Sequence, residues 1–281
     1  MGFHRRGSAA AALALCLGAL TACGGGSPAS DAKGEGVGPP TAGAKATSGT
    51  SVTRQGASQD GSVRGKVIVI DPGHNGGNAK NPAYINRQVD IGNGRKECDT
   101  TGTSTNAGYP EHAFTWDVSN RLARLLRAQG AKVLLTRKND TGVGPCITER
   151  AAIGNRAKAD AAVSVHADGA KPSGRGFHII QPVAVKGHNS EMVPDAQRLG
   201  RSLRDAYRSG TGVPYSNYIG EKGLDPRSDL GGLNLSTVPK VFIECGNMRN
   251  AAEAAKMSTP AFRQRVAVAL AAGLDDYFRK G

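Results

Sequence analysis

The chain has 281 residues and a formal net charge of +13, long enough for one sizeable domain with sequence left over outside it. Its five cysteines include no C-x-x-C pair, so nothing in their spacing points to a cysteine-based metal site. The basic balance suits anionic partners such as wall polymers and membrane surfaces, and it speaks to attraction rather than to chemistry.

His4, Arg5 and Arg6 precede an apolar run from Ala9 to Ala22. That run is too short to span a bilayer as a mature helix, so residues 1–22 read as a signal peptide. Leu20-Thr21-Ala22-Cys23 resembles the lipobox of bacterial lipoproteins, in which the cysteine becomes the first mature residue and carries lipid. A plain signal peptide with an accidental Cys23 is the alternative. Removing residues 1–22 takes away Arg5 and Arg6 and leaves +11. Export also argues against nucleic acid as the anionic partner. Residues 23–63 are Gly, Ser, Ala, Thr and Pro almost throughout, which predicts a flexible tether that buries no core. The folded catalytic-size domain is expected at 64–281.

Within that domain the β-branched run Lys66-Val67-Ile68-Val69-Ile70-Asp71 predicts a buried strand ending in the turn Asp71-Pro72-Gly73-His74. Residues 75–110 form a long loop of the kind that is usually functional or disordered. Glu111 to Gln129 reads as a helix with Phe114, Val118, Leu122, Leu125 and Leu126 on one stripe, and Gly130 supplies its stop. Strands follow at Ala131–Thr136, Ala161–His166, Gly176–Ile180 and Val238–Glu244. Helices are expected at Thr148–Lys158, Met192–Arg208 and Pro260–Phe278, and 212–237 reads as turn-rich and irregular. Strands alternating with helices predict one α/β domain with a largely parallel sheet. Cys98 and Cys146 both lie in loop-like sequence of an exported chain and are predicted to pair as a disulfide. Cys245 ends an apolar run and reads as a buried thiol.

His74 and His166 each sit where a buried strand runs out, and Glu244 ends a third such strand. Ligand sites of open α/β sheets lie beyond the carboxyl ends of their strands. Two neutral imidazoles and a carboxylate are the donors of a catalytic zinc, although strand-end histidines are also commonly solvated, and no H-E-x-x-H segment occurs. On spacing alone the two readings stay open.

Five segments in order sharpen the choice: Asp71-Pro72-Gly73-His74, Glu111 opening a helix, Ile147-x-x-Arg150-x-x-x-x-Asn155, Ser164-Val165-His166-Ala167-Asp168 and Ile243-Glu244-Cys245-Gly246-Asn247, with Asp229-Leu230-x-x-Leu233 between the last two. Together they resemble the zinc-dependent N-acetylmuramoyl-L-alanine amidases of the Amidase_3 type, over about residues 66–277. Asp168 stands where Asn is common in that pattern, and Cys245 is an unusual neighbour for the glutamate. The resemblance implies a six-stranded mixed sheet with helices on both faces. It implies one Zn2+ per chain held by His74, Glu111 and His166, and Glu244 as the catalytic carboxylate. Glu244 would act as general base and acid toward zinc-activated water, cutting the amide between N-acetylmuramic acid and the L-alanine of the stem peptide in cell-wall turnover or remodelling.

His112 competes with Glu111, but successive helical residues point about 100° apart, so only one can face the metal, and the resemblance favours Glu111. Asp71 and Asp168 are candidates to fix the second nitrogen of a ligand histidine, and for Asp71 shaping the turn before Pro72 is the alternative reading. His178 and His188 read as surface or strand residues without a role, and Glu97 as a cap on the site. Arg227, Asn234 and Asn247 are the expected substrate contacts. The implied partners are peptidoglycan or muropeptide and, through the lipid on Cys23, the membrane, with an extracytoplasmic location in the cell envelope. A zinc peptidase acting within a wall peptide and a non-enzymatic wall-binding lipoprotein are the rival readings.

Overall fold

The computed structural model describes residues 62–280. The expected signal peptide at 1–22, the lipid-bearing Cys23 and nearly all of the expected tether lie outside the described residues. The tether was expected to end at 63, yet Val63 is fully buried in the main core. Ser62 donates its hydroxyl to the carboxylate of Asp275 at 2.6 Å, so the domain starts by Ser62.

In chain order the strands are β1 (Val67–Pro72), β2 (Gln88–Asp90), β3 (Arg95–Glu97), β4 (Lys132–Leu135), β5 (Ala161–Asp168), β6 (His178–Pro182), β7 (Leu224–Arg227) and β8 (Lys240–Asn247). The α-helices are α1 (Pro82–Ile85), α2 (Glu111–Ala128), α3 (Ile147–Arg156), α4 (Val193–Thr211), α5 (Gly231–Asn234), α6 (Ala251–Met257) and α7 (Pro260–Arg279). Six strands form one mixed sheet in the order β4-β1-β5-β8-β6-β7. Every neighbouring pair is parallel except β6 with β8. This is the expected α/β sheet. The stretch 212–237, read as irregular, contributes edge strand β7 and the short α5. The long loop 75–110 carries its own hairpin, β2 with β3.

Period-two alternation sends successive side chains to opposite faces of the sheet. Ile68 and Ile70, Val163 and Val165, Val241 and Ile243, and Ile179 bury one face against the apolar stripes of α2, α4 and α7. Phe114, Val118, Leu122 and Leu126 recur every four residues along α2 and are all fully buried, and Gly130 at φ 89° turns the chain out of that helix. At the base of the opposite face Val69, Ala162 and Val238 meet Ile153 of α3 and Ala157 just beyond that helix. The same face carries Asp71, Ser164, His166, Lys240 and Glu244 in the alternate positions, with the apolar Ile180 and Phe242 among them.

The winding fixes where those polar residues emerge. After β1 the chain crosses to β4 on one side, then returns through α3 to β5 on the other side of β1. Such a reversal opens a crevice beyond the carboxyl ends of the two central strands. His74 follows β1, and His166 lies near the end of β5.

Candidate metal centre

β5, β8 and β6 lie in register so that His166, Glu244 and His178 stand abreast across the sheet. Residues paired this way share a face. His74 comes from the turn after β1 and adopts a left-handed backbone, φ 57°, a conformation that costs energy for a non-glycine residue unless neighbours hold it. Gly73 lets the turn approach β5, because a Cβ there would lie 2.3 Å from Cε1 of His166.

Glu111 arrives from the other layer at the N-terminus of α2, where the helix dipole favours a carboxylate. Two backbone amides fix it, Thr103 N to Oε2 at 2.9 Å and Ala167 N to Oε1 at 3.1 Å. Its Oε1 is 3.1 Å from both His74 Nε2 and His166 Nδ1. Ligand atoms of these three residues all lie within 4.8 Å of one another. His112, the competitor, turns away and pairs with Asp140 at 2.8 Å.

The remaining ring nitrogens decide the tautomers. His74 Nδ1 lies 3.1 Å from the carbonyl of Thr100, which can only accept, so the proton sits on Nδ1 and Nε2 keeps its lone pair. His166 Nε2 lies 3.2 Å from Ser164 Oγ. That hydroxyl gives its own proton to Asp71 Oδ2 at 2.9 Å, so it accepts from Nε2 and leaves the lone pair on Nδ1. Both lone pairs therefore face Glu111. Two neutral imidazoles and one carboxylate converging at this spacing fit the donor set of a divalent metal of the zinc class.

Burial costs the Glu111 carboxylate its hydration, but the positive charge of His74 in its protonated form, with hydrogen bonds from the two rings, outweighs that and holds its pKa below the usual range; a bound cation would supply that charge while the rings are neutral. His74 is buried as well, which opposes its charge, yet the attraction of Glu111 raises its pKa. Glu244 behaves oppositely. Burial, reinforced by the charges of Glu111 and Asp168, raises its pKa well above the ordinary value, with Arg227 alone pulling the other way. Among the described residues its Oε2 is buried without a hydrogen-bond partner.

These groups line a cleft of about 310 Å³ whose walls include Lys96 and Glu97 of the hairpin, Arg227, Leu230 and Phe242. Phe242 stacks on the His166 ring at 5.2 Å. Lys96 and Arg227 both hold Asp229, at 2.8 Å each, which ties the hairpin to the far wall.

A family model of N-acetylmuramoyl-L-alanine amidase, Amidase_3, matches residues 68–276. The chain belongs to this amidase family. It is 43% identical over 226 residues to an N-acetylmuramoyl-L-alanine amidase of Mycobacterium tuberculosis, covering 80% of this chain and 91% of that relative. The crystal structure of the amidase Ami1 from Mycobacterium smegmatis superposes with a TM-score of 0.73 at 41% identity, covering 78% of this chain and 99% of that one. Ami1 from Mycobacterium abscessus gives 0.70 at 41% identity, with 76% and 99% covered. This amidase is therefore a peptidoglycan hydrolase of the α/β type.

Several expected site residues have other tasks in it. Asn234 is fully buried and donates its amide to Ile91 O, Asn93 Oδ1 and Ser228 O. Asn247, also fully buried, donates to Lys171 O and Gly174 O. Both brace loops and neither lines the cleft, whereas Arg227 does. Asp168 lines the cleft but accepts from Gly169 N at 2.6 Å rather than from a histidine. His178 opens β6, the strand reading of the two offered for it, and is buried beside Glu244. Cys98 and Cys146 are buried as free thiols. They are in hydrogen-bond contact, with burial and that contact pushing Cys98 up to about 12. Cys245 is a buried thiol as expected. Ser164, Arg150 and Asp99 were not singled out for a role at the metal centre. For Ser164 a signal existed, because it stands two residues before His166 on a strand and so shares its face.

Proposed function

We propose that this site is a single-zinc amidohydrolase acting on the bond between the lactyl group of N-acetylmuramic acid and L-alanine. The observation that carries this reading is the meeting of His74 Nε2, His166 Nδ1 and Glu111 within 4.8 Å in one cleft with Glu244. Bound there, the ion would supply Lewis acidity toward water and the scissile carbonyl. The rest falls to the chain. Glu111 supplies the negative charge and the imidazoles supply neutral nitrogens, so the three residues leave room for water and substrate. Glu244, desolvated and with its Oε2 unpartnered among the described residues, takes the proton from the attacking water and returns it to the departing nitrogen. An amide nitrogen leaves poorly unless protonated, so a carboxyl with a raised pKa suits both halves of that exchange. Arg227 and Lys96, at the cleft wall, are placed to meet carboxylates of the stem peptide.

Digestion of purified muropeptide tests this directly. Mass spectrometry should find lactyl-bearing muramic acid and a peptide beginning with L-alanine, lost on EDTA treatment and restored by zinc. Cleavage inside the peptide would favour the peptidase reading instead. Glu244→Gln should retain zinc and fold while turnover falls by at least two orders of magnitude, in line with the usual contribution of a general acid–base group.

The same reading extends to the envelope. The chain would act outside the cytoplasm, held at the membrane by a lipid on Cys23, with 23–63 as the spacer into the wall. Among the described residues no helix is long and apolar enough to cross a membrane. In that oxidising setting Cys98 and Cys146, already in contact, would join as a disulfide.

A further inference from the structure

Beneath the two histidines lies a buried cluster of charges that the reaction itself does not use. Asp71 is 1% exposed and accepts from four side chains. Thr136 Oγ1 donates to Oδ1 at 2.6 Å and Arg150 Nη1 to Oδ1 at 2.8 Å. Ser164 Oγ and Lys240 Nζ donate to Oδ2, each at 2.9 Å. Arg150, itself buried, uses all five of its guanidinium donors. Nε reaches Pro145 O at 2.8 Å, Nη1 reaches Asp71 and Pro72 O (2.7 Å), and Nη2 reaches His74 O and Asp99 Oδ2, both at 3.0 Å. Asp71 thus connects to both histidines, to the ring of one and the backbone of the other. One arm runs through the Ser164 hydroxyl to His166 Nε2, the other through Arg150 to the carbonyl of His74, whose left-handed backbone needs such a clamp.

We infer that Asp71 is a common anchor for the two metal-facing histidines, with Ser164 and Arg150 as positioning residues that set the orientation of His166 and His74. The Ser164 arm fixes a tautomer: without an acceptor at Nε2, the proton on His166 is free to sit on Nδ1 and block the lone pair. The Arg150 arm fixes backbone: it grips the carbonyls of residues 72 and 74 on either side of Gly73. A partner placed behind a ligand histidine in this manner typically changes metal affinity by about 10- to 100-fold. The inference rests on the zinc reading of the site.

The test measures zinc affinity on the whole domain, with a competing chelator, and records the visible spectrum of the cobalt(II)-loaded protein. Ser164→Ala should bind zinc about 10- to 100-fold more weakly and shift the cobalt spectrum, while the Tm of the metal-free protein stays near that of wild type. Ser164→Thr, which keeps the hydroxyl, should restore affinity. Arg150→Lys keeps the charge but offers three donors, so zinc should raise its Tm less than it raises that of wild type. Wild-type zinc affinity and an unshifted cobalt spectrum in Ser164→Ala, with a full zinc-induced Tm rise in Arg150→Lys, would overturn the anchor role and leave the zinc site standing. Failure of the wild-type protein to bind zinc would remove the zinc reading, and this inference with it.

Discussion

Glu244 and Asp71 show how one sheet face can push two carboxyls in opposite directions. Glu244 has lost water and faces other negative charges, so its proton is held more tightly. Asp71 is just as desolvated, but Lys240, Arg150 and its hydroxyl donors outweigh that loss and hold it well below the usual carboxylate range. A base must be ionised to act, so a raised Glu244 places the acid limb of kcat/KM above the ordinary value for Glu of about 4.3. Arg227 stabilises the ionised form; Arg227→Gln should therefore move that limb to still higher pH, read from a pH–rate profile, and an unmoved limb would dissociate Arg227 from Glu244. For Asp71 the sign is reversed. Its folded-state pKa lies below the unfolded value of about 3.9, so its stabilisation is complete above that pH and is lost as the pH falls toward the folded value. Asp71→Asn leaves Lys240 and Arg150 short of a counter-charge and should cost about 3–5 kcal/mol at pH 7. In urea titrations the gap from wild type should narrow below about pH 4.

Among the elements, the turn after β1 carries a steric demand that falls on the metal centre itself. Gly73→Ala would set a methyl 2.3 Å from the His166 ring, and the β5 backbone leaves that ring little room to retreat. Zinc affinity should fall sharply, measured by chelator competition, while far-UV circular dichroism keeps the helical signal of α2, α4 and α7. The strand and helix assignments were readable because their cause is local. Ile68 and Ile70 alternate with Val69 and Asp71, and the α2 stripe repeats every four residues. Edge strand β7 was not readable, since Leu224-Asp225-Pro226-Arg227 has no apolar alternation and is a strand only because β6 offers it an edge. The hairpin β2–β3 is likewise short and polar, held by Lys96 to Asp229 across the cleft.

For the whole molecule, the excess of basic residues and the cysteine pair matter most. A net charge of +13 should make binding to anionic wall material weaken as salt rises from about 50 mM to a few hundred millimolar, because exposed charges are screened over the Debye length; salt-independent sedimentation with purified walls would contradict that. Joining Cys98 to Cys146 would close a long loop of the unfolded chain, which in the chain-entropy model stabilises by about 3–4.5 kcal/mol. Oxidised and reduced protein compared in urea should differ by that order, and Cys146→Ser should abolish the difference.

The sequence by itself determined the α/β class and singled out His74, Glu111, His166 and Glu244 as candidates, which the fold gathers in one cleft, since strand-end position and ordered motifs are properties of the chain in one dimension. It also preferred Glu111 over His112. Only the tertiary structure decided which nitrogen of each imidazole faces the carboxylate, that Asn234 and Asn247 brace loops, and that Asp71 reaches both histidines. Those outcomes depend on hydrogen bonds between residues up to 143 positions apart. Such partners are chosen by how the strands are laid side by side, and no local pattern records that choice.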